Sequence, residues 1–249
     1  MRAREPCAIS SNVLPLSKQN LYRDRYQVLN PQWHTSGNEY ERIVREHLTP
    51  QTRLLDIGGG RGGLIEIIHD QVAAATALDP DLPSLIDHRA PAVNRLCGFA
   101  DSLPFANNSF DVITASWLLE HLAQPEIVFK EIHRVLDHDG KFIFLTPNFN
   151  HPLLITNYFL LRPLQHLFIP RLYARAEADT FPVRYKVNTP SRLHRVCERV
   201  GFTLELSFIA DPTYTAFNDP LFNLSVALEK LIPQSWRIHL VGVAKKYGG

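Results

Sequence analysis

The chain has 249 residues, of which 45% are hydrophobic and 20% are charged. This length accommodates one large α/β domain, or a core domain with an insertion. The 26 basic and 25 acidic side chains give a formal net charge of +1, so neither nucleic acid nor an anionic membrane is predicted to attract the protein electrostatically. The three cysteines are far apart and odd in number, which favours free thiols in a reducing compartment.

Targeting signals are not predicted. The first residues include basic side chains but no apolar run follows them, as a secretory signal would require. No apolar stretch of the sequence approaches the roughly 18 residues that span a bilayer. We therefore expect a cytoplasmic protein.

Strand and helix patterns alternate along the chain. Strands are predicted at residues 53–57, 74–78, 95–100, 110–115 and 141–145, with helices at residues 62–70, 82–88 and 124–136. After a proline-rich stretch come a helix at 191–200, capped by Thr189 and ended by Gly201, a strand at 202–209, a helix at 221–231 and a strand at 237–244. Such alternation predicts a doubly wound parallel sheet, which binds ligands at the carboxyl ends of its strands.

A glycine-rich turn follows the first predicted strand. Gly58, Gly60 and Gly63 satisfy the G-x-G-x-x-G pattern of dinucleotide-binding proteins, and Asp79 follows at the distance of a ribose-binding acid. An NAD(P)-dependent oxidoreductase is therefore one alternative. A P-loop is excluded because no Gly-Lys-Ser/Thr follows the glycines.

The acid before this turn distinguishes between cofactors. Asp56 lies two residues ahead of Gly58, at the end of the strand. A carboxylate there would repel a pyrophosphate, whereas it suits a cation. S-adenosylmethionine carries a sulfonium and an α-amino group and has no phosphate, so the charge of Asp56 favours it over NAD.

Residues 54–148 resemble class I S-adenosylmethionine-dependent methyltransferases of the type 11 group. The matching segments are LDIGGGRG (55–62), ALD (77–79), ADSLPF (100–105), SFDVI (109–113), LEHL (119–122), EIHRVL (131–136) and GK (140–141). The resemblance implies a Rossmann-like seven-stranded sheet of order 3-2-1-4-5-7-6, with the last strand antiparallel and a helical lid inserted between strands 5 and 6. It divides the chain into an N-terminal helical cap (1–50), a cofactor-binding core (51–148), the lid (149–188) and the C-terminal part of the sheet (189–249).

The resemblance also implies a donor site for S-adenosylmethionine, with S-adenosylhomocysteine as the product. Asp79 would accept hydrogen bonds from the two ribose hydroxyls, Asp101 would accept one from the adenine amino group, and Asp56 would lie at the methionine end. The complete predicted set is Asp56, Gly58, Gly60, Gly62, Asp79, Pro80, Asp101, Ser102, Leu103, Ser116 and Trp117.

Catalysis is less well defined by the sequence. His121 is the candidate general base by position, and a packed helix histidine is the alternative interpretation; Glu120 receives less weight. No metal site is predicted, because no His-Glu-x-x-His motif or Cys/His cluster with ligand spacing occurs.

The acceptor is expected to contact segments outside the core. Candidates are Tyr22, Tyr26 and Trp33 ahead of the first strand, and Tyr185 and Asn188 in the lid. The alternatives are that the aromatic residues pack the N-terminal helix and that Asn188 starts the next helix. We expect methyl transfer, most readily to oxygen, on a small-molecule, lipid or glycan-linked acceptor. The apolar lid could contact a membrane surface, and a non-catalytic paralogue that binds S-adenosylmethionine as a partner subunit is a further alternative.

Overall fold

A computed structural model describes residues 16–161 and 182–247. Contacts divide the chain into two compact units. The larger unit covers residues 34–151, 183–211 and 232–247 of the described chain and contains the whole sheet. The smaller unit contains residues 16–33, 152–161, 182 and 212–231 of the described chain.

The sheet has seven strands in the order β3-β2-β1-β4-β5-β7-β6. They are β1 (Arg53–Ile57), β2 (Ala74–Asp79), β3 (Asn94–Cys97), β4 (Phe110–Ser116), β5 (Leu136–Pro147), β6 (Phe202–Ile209) and β7 (His239–Lys246). The pairs among β1 to β5 are parallel, and β7 runs antiparallel to both β5 and β6. The predicted fold and strand order are confirmed.

Helices cover both faces of the sheet. In the larger unit they are α2 (Ser36–Glu46), α3 (Leu64–Ile68), α4 (Leu82–Ile86), α5 (Pro125–Val135) and, after the insertion, α7 (Pro190–Val200). Successive side chains of β5 point to opposite faces of the sheet: Phe142 packs with α5 and α7, whereas Ile143 packs with α2 and α3. The alternation of strand side chains thus produces two apolar cores, one on each face.

Several predicted boundaries differ from those of the structure, and two of the differences have identifiable reasons. Helix α3 begins at Leu64 and not at residue 62, because Gly62 and Gly63 have φ angles of 123° and 140°, outside the helical region. Strand β3 ends at Cys97 and not at residue 100, because Cys97 pairs with the last residue of β2. The predicted cap and terminus of α7 are confirmed: Thr189 accepts a hydrogen bond from the Arg192 amide, and Gly201 has a φ of 96°.

The smaller unit is built around aromatic side chains. It contains α1 (Leu16–Leu29), α6 (Pro152–Thr156), a π-helical turn (Asn157–Leu161) and α8 (Asp219–Glu229). Tyr22 stacks on Phe222 at a centroid distance of 5.0 Å, and Tyr26 meets Trp33 edge-on at 4.9 Å. Arg25 forms an ion pair with Asp219 at 2.7 Å.

The predicted domain boundaries stay predictions, although the contacts bear on one of them. Helix α2 lies within the predicted N-terminal segment 1–50, yet Tyr40 and Val44 pack in the core of the larger unit. Most of the predicted lid (149–188) lies outside the described residues. Within the described residues, no helix combines the length and apolarity needed to cross a membrane.

Candidate active site

The glycine turn after β1 is held against the end of β2. The amide of Gly58 donates to the carbonyl of Leu78 at 2.8 Å, and the amide of Gly62 donates to the carbonyl of Gly59 at 2.7 Å. Gly60 has a φ of 47°, a left-handed conformation that glycine adopts without a side-chain penalty. The turn therefore presents its backbone at the carboxyl edge of the sheet.

Asp79 connects the glycine turn to the turn that follows β2. It is buried at the end of β2; one carboxylate oxygen accepts from the Gly60 amide at 2.9 Å and the other from the Asp81 amide at 2.8 Å. Each carboxylate oxygen has a second lone pair, so both retain capacity for another donor. Two hydroxyls on adjacent carbons, as in a ribose, match this arrangement.

Asp56 is a buried carboxyl beside the same turn. It pairs in register with Thr114 of β4, whose hydroxyl donates to Asp56 Oδ1 at 2.7 Å. Burial, and secondarily the charge of Asp79, raise the pKa of Asp56 to about 7, against the lowering effect of the Thr114 hydrogen bond. Burial and then the charge of Asp56 also raise the pKa of Tyr40 on α2, so this phenol lies close to the same carboxyl.

The residues present fit S-adenosylmethionine. Among the described residues, no lysine or arginine forms an ion pair with Asp56 or Asp79. A cationic ligand would offset the cost of these two buried acids, whereas a pyrophosphate would add to it. The donor set thus matches a nucleoside with a positively charged tail.

The predicted adenine side is more open. Asp101 and Ser102 are exposed, whereas Leu103 is buried and its amide donates to the Glu131 carboxylate at 2.9 Å. Between β3 and Asp101 lies Phe99, whose side chain is 65% exposed. The sequence interpretation missed this aromatic residue, although its place in the loop after β3 is visible in the sequence.

Ser116 is the last residue of β4, and the chain turns at Trp117. Trp117 has a φ of 56°, which is rare for a bulky residue, and its amide donates to the Leu145 carbonyl at 2.9 Å. Its indole packs edge-on against the His239 ring at a centroid distance of 5.0 Å and stays partly exposed. The strained backbone therefore holds a large aromatic ring at the ends of β4 and β5.

Three buried polar side chains, those of Glu120, Thr146 and Asn188, form a cluster. Thr146, near the end of β5, donates from its hydroxyl to Glu120 Oε2 at 3.2 Å, and Asn188 Nδ2 donates to Thr146 Oγ1 at 2.6 Å. Glu120 is 5% exposed, and Thr146 and Asn188 are fully buried. Burial raises the pKa of Glu120 to about 7, partly offset by hydrogen bonds. The Asn188 Oδ1 atom has no hydrogen-bond partner among the described residues.

The segment before α7 packs against the turn that carries Glu120. The Glu120 carbonyl accepts from the amides of Arg184 at 2.7 Å and Tyr185 at 3.1 Å. The Tyr185 ring stacks on Phe149 at 4.6 Å, and the Phe149 amide donates to the Asn188 carbonyl at 2.6 Å. Tyr185 and Asn188 are therefore brought together with Glu120, Asn188 as a buried group that holds Thr146.

The remaining predicted residues fall in two places. His121 ends the 3₁₀ turn Leu119–His121, partly buried and next to Glu120 in the chain. Tyr22 and Tyr26 belong to the smaller unit, where their side chains are 2% and 7% exposed and pack against other aromatic residues. Trp33 packs on the same cluster. Acceptor contacts by these aromatic residues stay predictions.

Comparison with known proteins agrees with this geometry. Residues 55–144 match the model of the methyltransferase domain family. The chain is 35% identical over 105 residues to demethylmenaquinone methyltransferase of Renibacterium salmoninarum, covering 41% of this chain and 44% of that protein. It is 30% identical over 161 residues to ubiquinone/menaquinone biosynthesis C-methyltransferase UbiE of Rubrivivax gelatinosus, covering 62% of this chain and 60% of that protein.

A third relative acts on a different kind of acceptor. The malonyl-[acyl-carrier protein] O-methyltransferase of Herminiimonas arsenicoxydans is 33% identical over 99 residues, which cover 39% of this chain and 38% of that protein. The chain thus spans about two fifths to three fifths of the length of these relatives.

A solved structure supports the fold. The YcgJ protein of Bacillus subtilis superposes with a TM-score of 0.58 at 15% identity, covering 85% of this chain and all of that one. The ordered motifs, the strand order and the matched family model agree. Residues 55–144 thus match the methyltransferase domain family, and the strand order is that of the class I S-adenosylmethionine-dependent methyltransferase fold.

Proposed function

We propose that this protein transfers a methyl group from S-adenosylmethionine to a small-molecule acceptor, a class in which we include lipid- and glycan-linked molecules. The observation that carries the proposal is the pair of buried acids around the glycine turn. Asp56 lies at the end of β1, and Asp79 receives the Gly60 amide at 2.9 Å. This arrangement favours a cationic nucleoside over a dinucleotide.

The chain's residues would hold the donor at three points. Asp79 would accept from the ribose hydroxyls, and Asp56 with the Gly58 and Gly60 backbone would face the positively charged methionine end. Exposed Asp101 and Ser102, with the backbone of Leu103, would border the adenine, and Phe99 offers an aromatic face there. When bound, S-adenosylmethionine supplies an activated methyl group on a sulfonium.

The acceptor must lose a proton if it is a hydroxyl or an acidic carbon. The relatives are named for both cases, since one is a quinone-biosynthesis C-methyltransferase and another an O-methyltransferase. We place the transfer at oxygen. The acceptor oxygen would form a bond with the methyl carbon as the carbon–sulfur bond of the sulfonium breaks. The sulfur would keep that electron pair in S-adenosylhomocysteine, and the proton of the oxygen would pass to a base.

Glu120 is the base that the geometry favours. Its carboxyl is buried with a pKa of about 7, so near neutral pH it can accept a proton without a large thermodynamic cost. The Thr146 hydroxyl donates to one of its oxygens at 3.2 Å and so orients the carboxylate. His121 is adjacent in the chain and is the second candidate.

Calorimetric titration with S-adenosylmethionine, S-adenosylhomocysteine and NAD tests the donor assignment. We expect binding of the first two and none of NAD. Tight NAD binding without binding of either sulfur nucleoside would instead support an oxidoreductase.

Turnover is tested separately with donor labelled in its methyl group and a panel of phenols, quinols and carboxylic acids. Transfer of label to any member supports an enzyme. Donor binding with no transfer to this panel or to cell extracts would favour the non-catalytic paralogue.

A further inference from the structure

A second concave site lies between α5 and α7, away from the glycine turn. This α5–α7 groove has a volume of about 460 Å³. Ile127 of α5 and Val187 and Val196 on the opposite wall give it apolar surface. The volume falls within the range of about 300–1,000 Å³ that is typical of small-molecule sites.

The opposite wall of the groove is strongly cationic. Arg192, Arg195 and Arg199 line it from α7, and Lys186 joins them from the segment before this helix. The arginines are spaced three and four residues apart, so they share one side of the helix. The single carboxylate in the lining is Glu126, which pairs with Arg199 at 2.5 Å.

Three of these cations have no carboxylate partner among the described residues. Lys186 donates to the Ala123 carbonyl at 2.8 Å, and Arg192 donates to the Tyr185 carbonyl at 3.1 Å. Arg195 has neither a hydrogen bond nor an ion pair with any other residue in the described part of the chain.

This concentration of charge is unusual for the molecule. Of the eleven described arginines outside the groove, seven pair with acids, as Arg53 does with Asp111 at 2.6 Å and Arg134 with Glu131 at 2.7 Å. The net charge of the whole chain is only +1, yet the groove lining carries four cations and one acid. Like charges at these helical spacings repel one another, so an anion placed among them would relieve that repulsion.

The neighbouring helix adds to the positive potential. Helix α5 begins at Pro125, and Gln124 caps it without a side-chain hydrogen bond. Both residues line the groove, so the positive end of the helix dipole lies beside the cationic wall.

We propose that the α5–α7 groove binds an organic phosphate, with the phosphate against Lys186, Arg192 and Arg195 and an apolar body on Val187 and Val196. Arginine guanidinium groups match phosphate oxygens in charge and in bidentate geometry, which favours phosphate over a carboxylate with one charge. The inference does not depend on the proposed methyl transfer.

Titration calorimetry with phenyl phosphate tests the site, and benzyl alcohol serves as the neutral analogue. We expect phenyl phosphate to bind and its affinity to fall as the salt concentration rises, whereas benzyl alcohol does not bind detectably. Arg195→Glu should weaken phenyl phosphate by about tenfold or more, because it replaces an attraction by a repulsion. Arg195 is exposed, so thermal unfolding should show an intact fold.

The matched control is Lys130→Glu, an equal change of charge at an exposed position of α5 outside the groove lining. It should change the affinity by less than about twofold. If both variants lost affinity for phenyl phosphate equally, the attraction would come from the overall electrostatic field of the protein and not from the groove, which would overturn the proposal.

A second experiment, with lipid vesicles, distinguishes a lipid head group from a soluble phosphate ester as the source of the phosphate. Sedimentation with phosphatidylcholine vesicles, with and without phosphatidylglycerol, detects a lipid head group. Phosphatidylglycerol-dependent binding that Arg195→Glu abolishes would assign the phosphate to a lipid, and binding of phenyl phosphate alone would assign it to a soluble ester. Binding of neither, or vesicle binding that Arg195→Glu leaves unchanged, would contradict the site. S-adenosylhomocysteine affinity should be the same in all variants.

Discussion

The buried carboxyl of Asp56 makes donor binding depend on pH. In the ligand-free protein its pKa is about 7, so the carboxyl is largely protonated in mildly acidic solution. A cationic methionine end requires the ionised form. Binding of S-adenosylmethionine below about pH 7 should therefore release a proton, and affinity should rise as the pH rises.

The size of this effect follows from the pKa. With a value of about 7, roughly 3% of the carboxyl is ionised at about pH 5.5 and roughly 90% at about pH 8. If the bound state keeps Asp56 ionised, the association constant changes about 30-fold across this interval, or about 2 kcal/mol.

Calorimetry in two buffers of different ionisation enthalpy measures both the affinity and the proton release. Asp56→Asn should bind S-adenosylmethionine weakly and with little pH dependence, and 5′-methylthioadenosine, which lacks the charged tail, should bind wild type with a flat profile. A flat profile for S-adenosylmethionine in wild type, or an equal slope in Asp56→Asn, would refute the reasoning.

Further predictions concern the other acids and a helix cap. Asp79→Ala should weaken S-adenosylhomocysteine about 30-fold or more in calorimetry with the fold intact, because two charge-assisted hydrogen bonds are lost; the exposed acid variant Asp70→Ala should bind normally. Glu120→Gln should lower kcat about 10²-fold or more and remove the acidic limb near pH 7 while leaving donor affinity unchanged, and an unaltered pH profile would remove Glu120 from catalysis. Because the pKa of Glu120 is raised in the folded protein, its contribution to stability is complete below about pH 4.5 and is lost as the pH rises through about 7. The free energy of unfolding, measured with urea, should therefore fall less steeply with pH over that interval in Glu120→Gln than in wild type. Thr189→Ala should lower the free energy of unfolding by about 1 kcal/mol, whereas Thr189→Ser, which keeps the capping oxygen, should not.

The sheet was predictable from sequence because its signals are local, and the donor side stays a prediction that rests on equally local signals. Asp56 is the penultimate residue of the first predicted strand and Asp79 directly follows the second, and parallel strands bring such ends to one edge. Asp101 was harder to place, since β3 ends at Cys97 and a loop carries the acid beyond the sheet.

The acceptor side depends on contacts between distant parts of the chain. Glu120 is held by Thr146 and by the amide of Tyr185, which lie far along the sequence. Its burial and raised pKa therefore have no signature in the residues around it. Asn188 stays a predicted substrate contact; in the structure its side chain is fully buried and donates to the Thr146 hydroxyl. The cationic wall also needs the fold, because Lys186 and the arginines of α7 meet the start of α5 only in the folded chain.

The left-handed backbone of Trp117 has an optical consequence. The indole is held at the end of β4 by a defined main-chain conformation and is 39% exposed. It is one of three tryptophans, and the other two are Trp33 and Trp236. Replacing those two by phenylalanine would leave a single tryptophan, next to the predicted donor site, so that selective excitation of its indole would follow the arrival and departure of either nucleoside in real time.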